Sequence, residues 1–89
     1  MLIAMAYQIE ISNTAQRQIR RLPPLVQDRI RPRIRALAQD PRPIGAIKLH
    51  VRDGQYRIRI GDYRVIYQIK DDVLLVLVVD VGHRAGVYR

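Results

Sequence analysis

Residues 56–68 contain three arginines and have the pattern of a β-hairpin, YRIRIGDYRVIYQ. Its Gly61-Asp62 pair is a two-residue turn signal of the type II′ kind, and the resulting register places Arg59 opposite Arg64 with Arg57 on the same face. Like charges directly opposite each other in a ladder are destabilising by roughly 0.2–1 kcal/mol. Folding alone does not call for this arrangement, whereas a bound phosphate would remove its cost.

The choice of cation also favours a phosphate ligand. Lys48 and Lys70 are the only lysines among 16 basic residues, and the others are arginine. Arginine presents a planar, permanently charged fork suited to phosphate, while solubility would be served as well by lysine. The structural alternative is that one hairpin arginine pairs with an acid such as Asp53 or Asp62 and the rest lie in water.

The end of the chain adds further groups with suitable chemistry, because His83, Arg84 and Tyr88 follow the last apolar run. Metal-free cleavage of RNA needs the 2′-hydroxyl deprotonated, the charge of the pentacoordinate phosphate neutralised and the leaving 5′-oxygen protonated. Arginine can neutralise charge, histidine can exchange protons near neutral pH, and tyrosine can stack on a base or transfer a proton. Each signal is weak alone, and their order and spacing carry the prediction.

Other chemistries find less support in the sequence. It has two histidines, no cysteine and one glutamate, so no convincing metal site is predicted and no cofactor is expected. The one serine, Ser12, stands where a helix cap is expected, and no glycine-rich phosphate loop of the Walker type occurs.

The composition describes one folded basic domain. Its 89 residues, 48% of them hydrophobic, suit a single domain over residues 1–89 with one core. A net charge of +8 favours a polyanionic partner, nucleic acid or an acidic protein. The lack of cysteine predicts a reducing compartment, the cytoplasm, and no apolar run is long enough to span a membrane.

The first half of the chain predicts a strand and two helices. Residues 6–11 alternate as a strand, and Ser12 and Asn13 supply N-cap chemistry for the first helix. Pro24 opens a second helix, which Pro32 is expected to kink or shorten. The predicted buried positions of the two helices are Ala15, Ile19 and Leu22, then Leu25, Ile30, Ile34, Leu37 and Ala38.

The second half predicts three strands. The hairpin strands are Gln55–Ile60 and Tyr63–Lys70, and Asp71-Asp72 turns the chain into an apolar strand, Val73–Val81, with a composition typical of a central strand covered on both faces. The order of elements read along the chain is therefore β-α-α-β-β-β.

The combination KLH, GQYRIRIGDYRVIYQI and VLVVDVGHRAGVYR, preceded by a strand and two arginine-rich helices, resembles the RelE family of the RelE/ParE superfamily of toxins. The resemblance spans nearly the whole chain. It implies an α+β fold with the order β-α-α-β-β-β, in which a small antiparallel sheet packs against two N-terminal helices. It also implies a metal-independent endoribonuclease that cuts messenger RNA in the ribosomal A site, contacts with ribosomal RNA, and a RelB-like antitoxin as partner. Exposed Ile, Leu or Val on the two helices would mark where that antitoxin docks.

The resemblance also implies a set of site residues. The catalytic set carried over from the motif is Arg57, Arg59, Arg64, His83, Arg84 and Tyr88, and the expected RNA-binding set is Lys48, Arg52, Arg57 and Arg59. Some relatives have lysine where this chain has Arg57 and Arg59. Arginine stays charged and cannot act as a base, so proton transfer is expected from His83, Tyr88 or groups of the ribosome.

Three other functions stay open at this stage. A ParE-like toxin shares the fold but inhibits DNA gyrase by binding it. A non-catalytic RNA-binding module would use the same cations to hold phosphates, with strong salt dependence and no cleavage. A degenerate, non-toxic relative would retain only the fold.

Overall fold

The computed structural model describes residues 6–49 and 54–83, in which two helices and five strands form. The elements, in chain order, are β1 (Gln8–Ile11), α1 (Asn13–Arg20), α2 (Pro24–Ala36), β2 (Ile47–Lys48), β3 (Gln55–Ile60), β4 (Tyr63–Lys70), a 3₁₀ turn (Asp71–Val73) and β5 (Leu75–His83).

One sheet contains all five described strands, in the order β1-β5-β4-β3-β2. The α+β fold with the predicted order of helices and long strands is confirmed. The sheet is mixed and not antiparallel throughout as predicted, because β1 pairs with β5 in parallel. A two-residue strand, β2, which was not predicted, joins the edge next to β3. Both depend on which strands become neighbours, which the alternation within one strand does not specify.

The helices begin where the sequence indicated. The hydroxyl of Ser12 accepts a hydrogen bond from the Ala15 backbone N–H at 3.1 Å, and Pro24 is the first residue of α2. The α2 helix continues through Pro32 instead of ending there. The predicted burial of Leu25 is wrong, because its side chain is 78% exposed in the first turn of α2.

The core lies between the helices and one face of the sheet. Its fully buried residues come from both helices and the three long strands, and include Ala15, Ile19, Ile30, Ile34, Ile58, Val65, Val76 and Val78. Along β5, between β1 and β4, buried residues alternate with half-buried ones up to Val79. This strand therefore buries one face fully and the other in part.

The hairpin has the predicted register. Arg59 pairs with Arg64, and the positive φ of the turn (+60°) falls on Gly61 and not on Asp62, as a type II′ turn requires. The two-residue loop and the alternation of apolar and polar residues agree on this pairing, which explains why local sequence was sufficient to predict it.

Candidate active site

Three arginines of the hairpin share the sheet face that points away from the helical core. Arg59 and Arg64 are direct partners, and Arg57 pairs with Ile66 on that face. The residues between them, such as Ile58 and its partner Val65, are buried in the core. Since side chains alternate across a strand, the register collects the three guanidinium groups on one face, called here the arginine face.

Arg57 is half-buried and carries an unsatisfied donor. Its Nε is buried and has no hydrogen-bond partner among the described residues. A buried N–H without an acceptor destabilises a fold by roughly 1–3 kcal/mol. Such groups are rare in folded proteins and are explained most often by function, strain or solvent. A phosphate oxygen would supply the missing acceptor.

Arg64 has a different environment from the one expected. It is 1% exposed, its Nη2 donates to Asp80 Oδ2 at 3.0 Å, and its Nη1 donates to the His83 carbonyl at 2.8 Å. Its charge is therefore balanced by a carboxylate of the same chain. Arg59, its partner across the ladder, is exposed. The ion pair of Arg64 reduces the repulsion that the sequence indicated.

Asp80 is a site residue that sequence reasoning missed. The register places it beside Ile66, two residues along β4 from Arg64, on the same face. The available signal was a single carboxylate in the apolar run LLVLVVDV, because a buried acid in a strand almost always has a charged or polar partner. The sequence did allow for an ion pair between a hairpin arginine and an acid, but the acids it named were Asp53 and Asp62.

Gln18 of α1 extends this pair into a network. Its amide nitrogen donates to Asp80 Oδ1 at 2.7 Å, and its amide oxygen accepts from the Val81 backbone N–H at 2.8 Å. The side chain thus contacts both the carboxylate and the open backbone edge of β5. Helix α1, the end of β5 and Arg64 are joined by one set of hydrogen bonds.

The side chains of His83 and Lys48 lie on the other face of the sheet. His83 pairs with Tyr63, whose ring meets the imidazole edge-on at a centroid distance of 5.4 Å. Lys48 pairs with Tyr56, which packs against the core. Arg64 donates a hydrogen bond to the backbone carbonyl of His83. The described structure therefore separates these two residues from the arginine face.

Three of the expected site residues, Arg52, Arg84 and Tyr88, lie outside the described residues, as does Asp53. Arg84 directly follows His83, the last residue of β5, in the sequence.

A second polar network, on Arg42 and Asp71, was not expected, because residues 40–45 were interpreted only as a loop. Arg42 forms a two-point ion pair with Asp71, with a shortest distance of 2.8 Å, and Tyr7 donates its hydroxyl to the same carboxylate. Arg42, and to a smaller extent Tyr7, lowers the pKa of Asp71 from 3.8 to about 2. The hydrogen bond to Asp71 raises the pKa of Tyr7.

This network anchors the loop to the sheet. The Arg42 guanidinium also donates to the Tyr56 hydroxyl at 3.1 Å and lies over its ring. Tyr56 stacks on Tyr67, whose hydroxyl donates to the Pro41 carbonyl at 2.8 Å. Burial raises the pKa of Tyr67 to about 12. These contacts hold the loop of residues 40–45 against β3 and β4, so the role of this network is structural.

Within residues 6–49 and 54–83, no three histidine, aspartate or glutamate side chains are grouped so that they could hold a metal ion. In the same part of the chain, no helix is long and apolar enough to cross a membrane.

Comparison with known proteins gives consistent results. A family profile described as "ParE toxin of type II toxin-antitoxin system, parDE" matches residues 9–88. Toxin RelG of Mycobacterium tuberculosis is 30% identical over 86 residues, which cover 96% of this chain and 99% of RelG. The mRNA interferase toxin RelE of Escherichia coli is 30% identical over 82 residues, covering 90% of this chain and 85% of that toxin.

Solved structures agree on the fold. The archaeal RelE–RelB complex of Pyrococcus horikoshii matches with a TM-score of 0.81 and 26% identity, covering 93% of this chain and all of that one (100%). The intact RelBE toxin–antitoxin complex of E. coli matches with a TM-score of 0.78 and 27% identity, covering 94% of this chain and 100% of that one.

Proposed function

The chain belongs to the RelE family within the RelE/ParE superfamily of type II toxin–antitoxin toxins, and from this membership we propose that it is an endoribonuclease that cleaves translated messenger RNA in the ribosomal A site. The relative from E. coli is named an mRNA interferase. Cleavage by this chain, in the bacterial or archaeal cytoplasm, would inhibit translation.

The observation that carries the proposal is the arginine face. Arg57 offers a buried Nε without an acceptor among the described residues, and Arg59 is exposed beside it, two residues along β3. Guanidinium groups form short, charge-assisted hydrogen bonds with phosphate oxygens. We assign contact with the phosphate to Arg57 and Arg59, and we retain Lys48 and Arg52 as proposed RNA contacts outside this face.

The proposed reaction is attack by the 2′-oxygen on the adjacent phosphorus. The O2′–P bond forms and the P–O5′ bond breaks, which leaves a cyclic phosphate and a 5′-hydroxyl, while one proton leaves the 2′-hydroxyl and another reaches the 5′-oxygen. Arg57 and Arg59 would stabilise the added charge on the phosphate, because preorganised donors are most effective where charge develops. Since the imidazole of His83 lies on the other sheet face, proton transfer is assigned to Tyr88 or to groups of the ribosome.

A RelB-like antitoxin is the proposed protein partner. Solved structures similar to this chain include RelB–RelE complexes, and a net charge of +8 suits an acidic partner. Leu25, 78% exposed on α2, is the kind of apolar helix position on which an amphipathic antitoxin segment could dock.

A second candidate is inhibition of DNA gyrase by binding. The matching family profile carries the ParE description, and the pairing of Arg64 with Asp80 leaves fewer charges for a phosphate. In this case the chain would bind gyrase and leave RNA intact.

The test is induced expression of the chain alone, with mapping of new mRNA ends by codon frame and a gyrase supercoiling assay in parallel. The nuclease proposal predicts new ends in a fixed frame and normal supercoiling. Arg84→Ala, which removes one donor to the transition state, should lower cleavage about 10²- to 10³-fold with the fold intact by circular dichroism. Intact mRNA together with inhibited supercoiling would establish the second candidate instead.

A further inference from the structure

We propose that Arg29 of α2 binds an RNA phosphate and so extends the arginine face around the end of the hairpin. This inference rests on the proposed nuclease function, because the phosphate belongs to RNA of the same complex, either the message or the ribosomal RNA. It adds a binding residue to the site and no catalytic residue.

The first argument is the position of the Arg29 guanidinium against the hairpin turn. A Cβ atom placed on Gly61 would lie 2.9 Å from Nη2 of Arg29, 3.6 Å from Cζ and 3.7 Å from Nη1. The guanidinium therefore covers the turn at the point where glycine has no side chain. Because φ of Gly61 is +60°, this glycine serves both the turn and the close approach of Arg29.

The second argument is the place of this turn in the sheet. Gly61 is two residues from Arg59 in the chain, so their Cα atoms are at most about 7 Å apart. The pairing of Tyr63 with His83 brings the end of β5 to the same end of the sheet. Arg29 thus reaches from the helical side of the sheet to the end of the arginine face.

The third argument is that Arg29 has no acceptor among the described residues. Its side chain is exposed, and neither Asp28, its neighbour on α2, nor Asp62 of the turn forms an ion pair with it. A guanidinium carries five N–H donors and keeps its charge near neutral pH. These donors are therefore available to a phosphate.

The fourth argument is the distribution of charge over the helices. Residues 13–39 contain seven arginines and one acid, Asp28, and therefore hold +6 of the net charge of +8. All seven arginines are exposed. Arg33 lies four residues beyond Arg29 on α2, a spacing at which like charges destabilise a helix. Folding does not favour this arrangement, whereas a polyanion that follows the surface would relieve the repulsion.

The contact of Arg29 with the hairpin favours RNA over an acidic protein as the ligand. It joins the charge of the helices to the face on which the scissile phosphate is proposed to bind. An RNA strand that leaves this face at the hairpin turn would meet Arg29 next. The guanidinium already lies against the turn, so less conformational freedom is lost when it binds a phosphate.

Arg29→Ala tests this inference, with Arg35→Ala as a control that removes the same charge from an exposed position of α2. Arg35 lies about 9 Å further along the helix axis and about a third of a turn around it. The full chain is bound over a range of salt concentrations to a single-stranded RNA oligomer that 2′-O-methyl groups make uncleavable, and to ribosomes whose message carries the same modification in the A site. Circular dichroism and urea unfolding check the fold of each variant.

We expect Arg29→Ala to lower the slope of log affinity against log salt by about 0.7–0.9, the value for one phosphate contact, and Arg35→Ala to leave it unchanged. The double variant of Arg29→Ala and Arg57→Ala should lower the slope by about twice as much, because the two contacts are separate. A reduced slope with the oligomer assigns the phosphate to the message strand. A slope reduced only with ribosomes assigns it to ribosomal RNA.

An unchanged slope in both assays would overturn the inference and leave the helical arginines to an acidic protein partner. An equal reduction by Arg29→Ala and Arg35→Ala would also overturn it, because the effect would then follow net charge and not position. Arg29→Gln, which keeps part of the aliphatic stem, decides the matter if Arg29→Ala is unstable. A wild-type chain that leaves mRNA intact, while Arg29 still governs RNA binding, would refute the nuclease function alone. Cleavage of mRNA together with an unchanged slope for Arg29→Ala would refute this inference alone.

Discussion

In the buried ion pair of Arg64 and Asp80, we expect the loss of one partner to lower the unfolding free energy more than the loss of the other. The side chain of Arg64 is 2% exposed and that of Asp80 is 25% exposed. Asp80→Ala leaves a guanidinium charge buried without its carboxylate. Arg64→Leu leaves a carboxylate that solvent reaches and that Gln18 still binds. We therefore expect the loss of the acid to destabilise the fold more than the loss of the base.

The magnitudes follow from this difference in exposure. Removing one partner from a buried pair costs about 3–5 kcal/mol, and Asp80→Ala should fall in that range. Arg64→Leu should cost about 1–3 kcal/mol, because the remaining carboxylate is partly solvated. A domain of 89 residues has an unfolding free energy of roughly 4–13 kcal/mol. Asp80→Ala would therefore remove a large fraction of the unfolding free energy.

The assay is urea unfolding followed by circular dichroism, with both single variants, the double variant and Asp28→Ala as a surface control. With an m value of about 1 kcal/mol per molar, Asp80→Ala should lower the midpoint by about 3 M or more. The double variant should be more stable than Asp80→Ala, because replacing both members of a buried pair by apolar groups is often close to neutral. The reasoning is refuted if Asp80→Ala costs less than the Arg64 variant, or if the two effects simply add.

Three further predictions concern other parts of the molecule. Arg57→Ala should reduce the salt slope of binding to uncleavable single-stranded RNA by about 0.7; an unchanged slope would place the phosphate contact elsewhere. The pKa of Asp71, lowered from 3.8 to about 2 by Arg42 and Tyr7, gives stability that is present above pH 3.8 and is lost as the pH falls towards 2. Asp71→Asn should remove that loss in a series of unfolding free energies against pH, and an unchanged acid slope would contradict it. Gly61→Ala should destabilise the hairpin by about 1–2 kcal/mol in urea unfolding, because φ is +60° there; a neutral result would mean that the turn adopts another conformation.

The sequence predicted those features that depend on neighbouring residues. The register of the hairpin follows from a two-residue loop and from alternating side chains, so the grouping of Arg57, Arg59 and Arg64 on one face was accessible before the fold was known. The N-cap at Ser12 and the start of α2 at Pro24 are local for the same reason. Family resemblance added the packing of the sheet against the two helices.

Burial and partner choice are different, because they depend on residues far apart in the chain. Leu25 fits the apolar periodicity of α2, yet it lies on the exposed side of the first turn, while its neighbour Val26 packs against the core. The separation of His83 from the arginine face was also not foreseen. Residues 82–89 were interpreted as a polar tail, whereas β5 continues to His83 and its alternation sets the orientation of the imidazole.

The amino-acid sequence by itself determined the charge, the hairpin and the grouping of three arginines on one face of that hairpin. Only the tertiary structure decided which of these arginines is already paired. Asp80 reaches Arg64 through the register of β4 with β5, and Gln18 reaches Asp80 because α1 packs beside the end of β5, 62 residues away in the chain. Side-chain charge is a property of each residue, whereas neutralisation of that charge requires an atom of another element within about 3 Å.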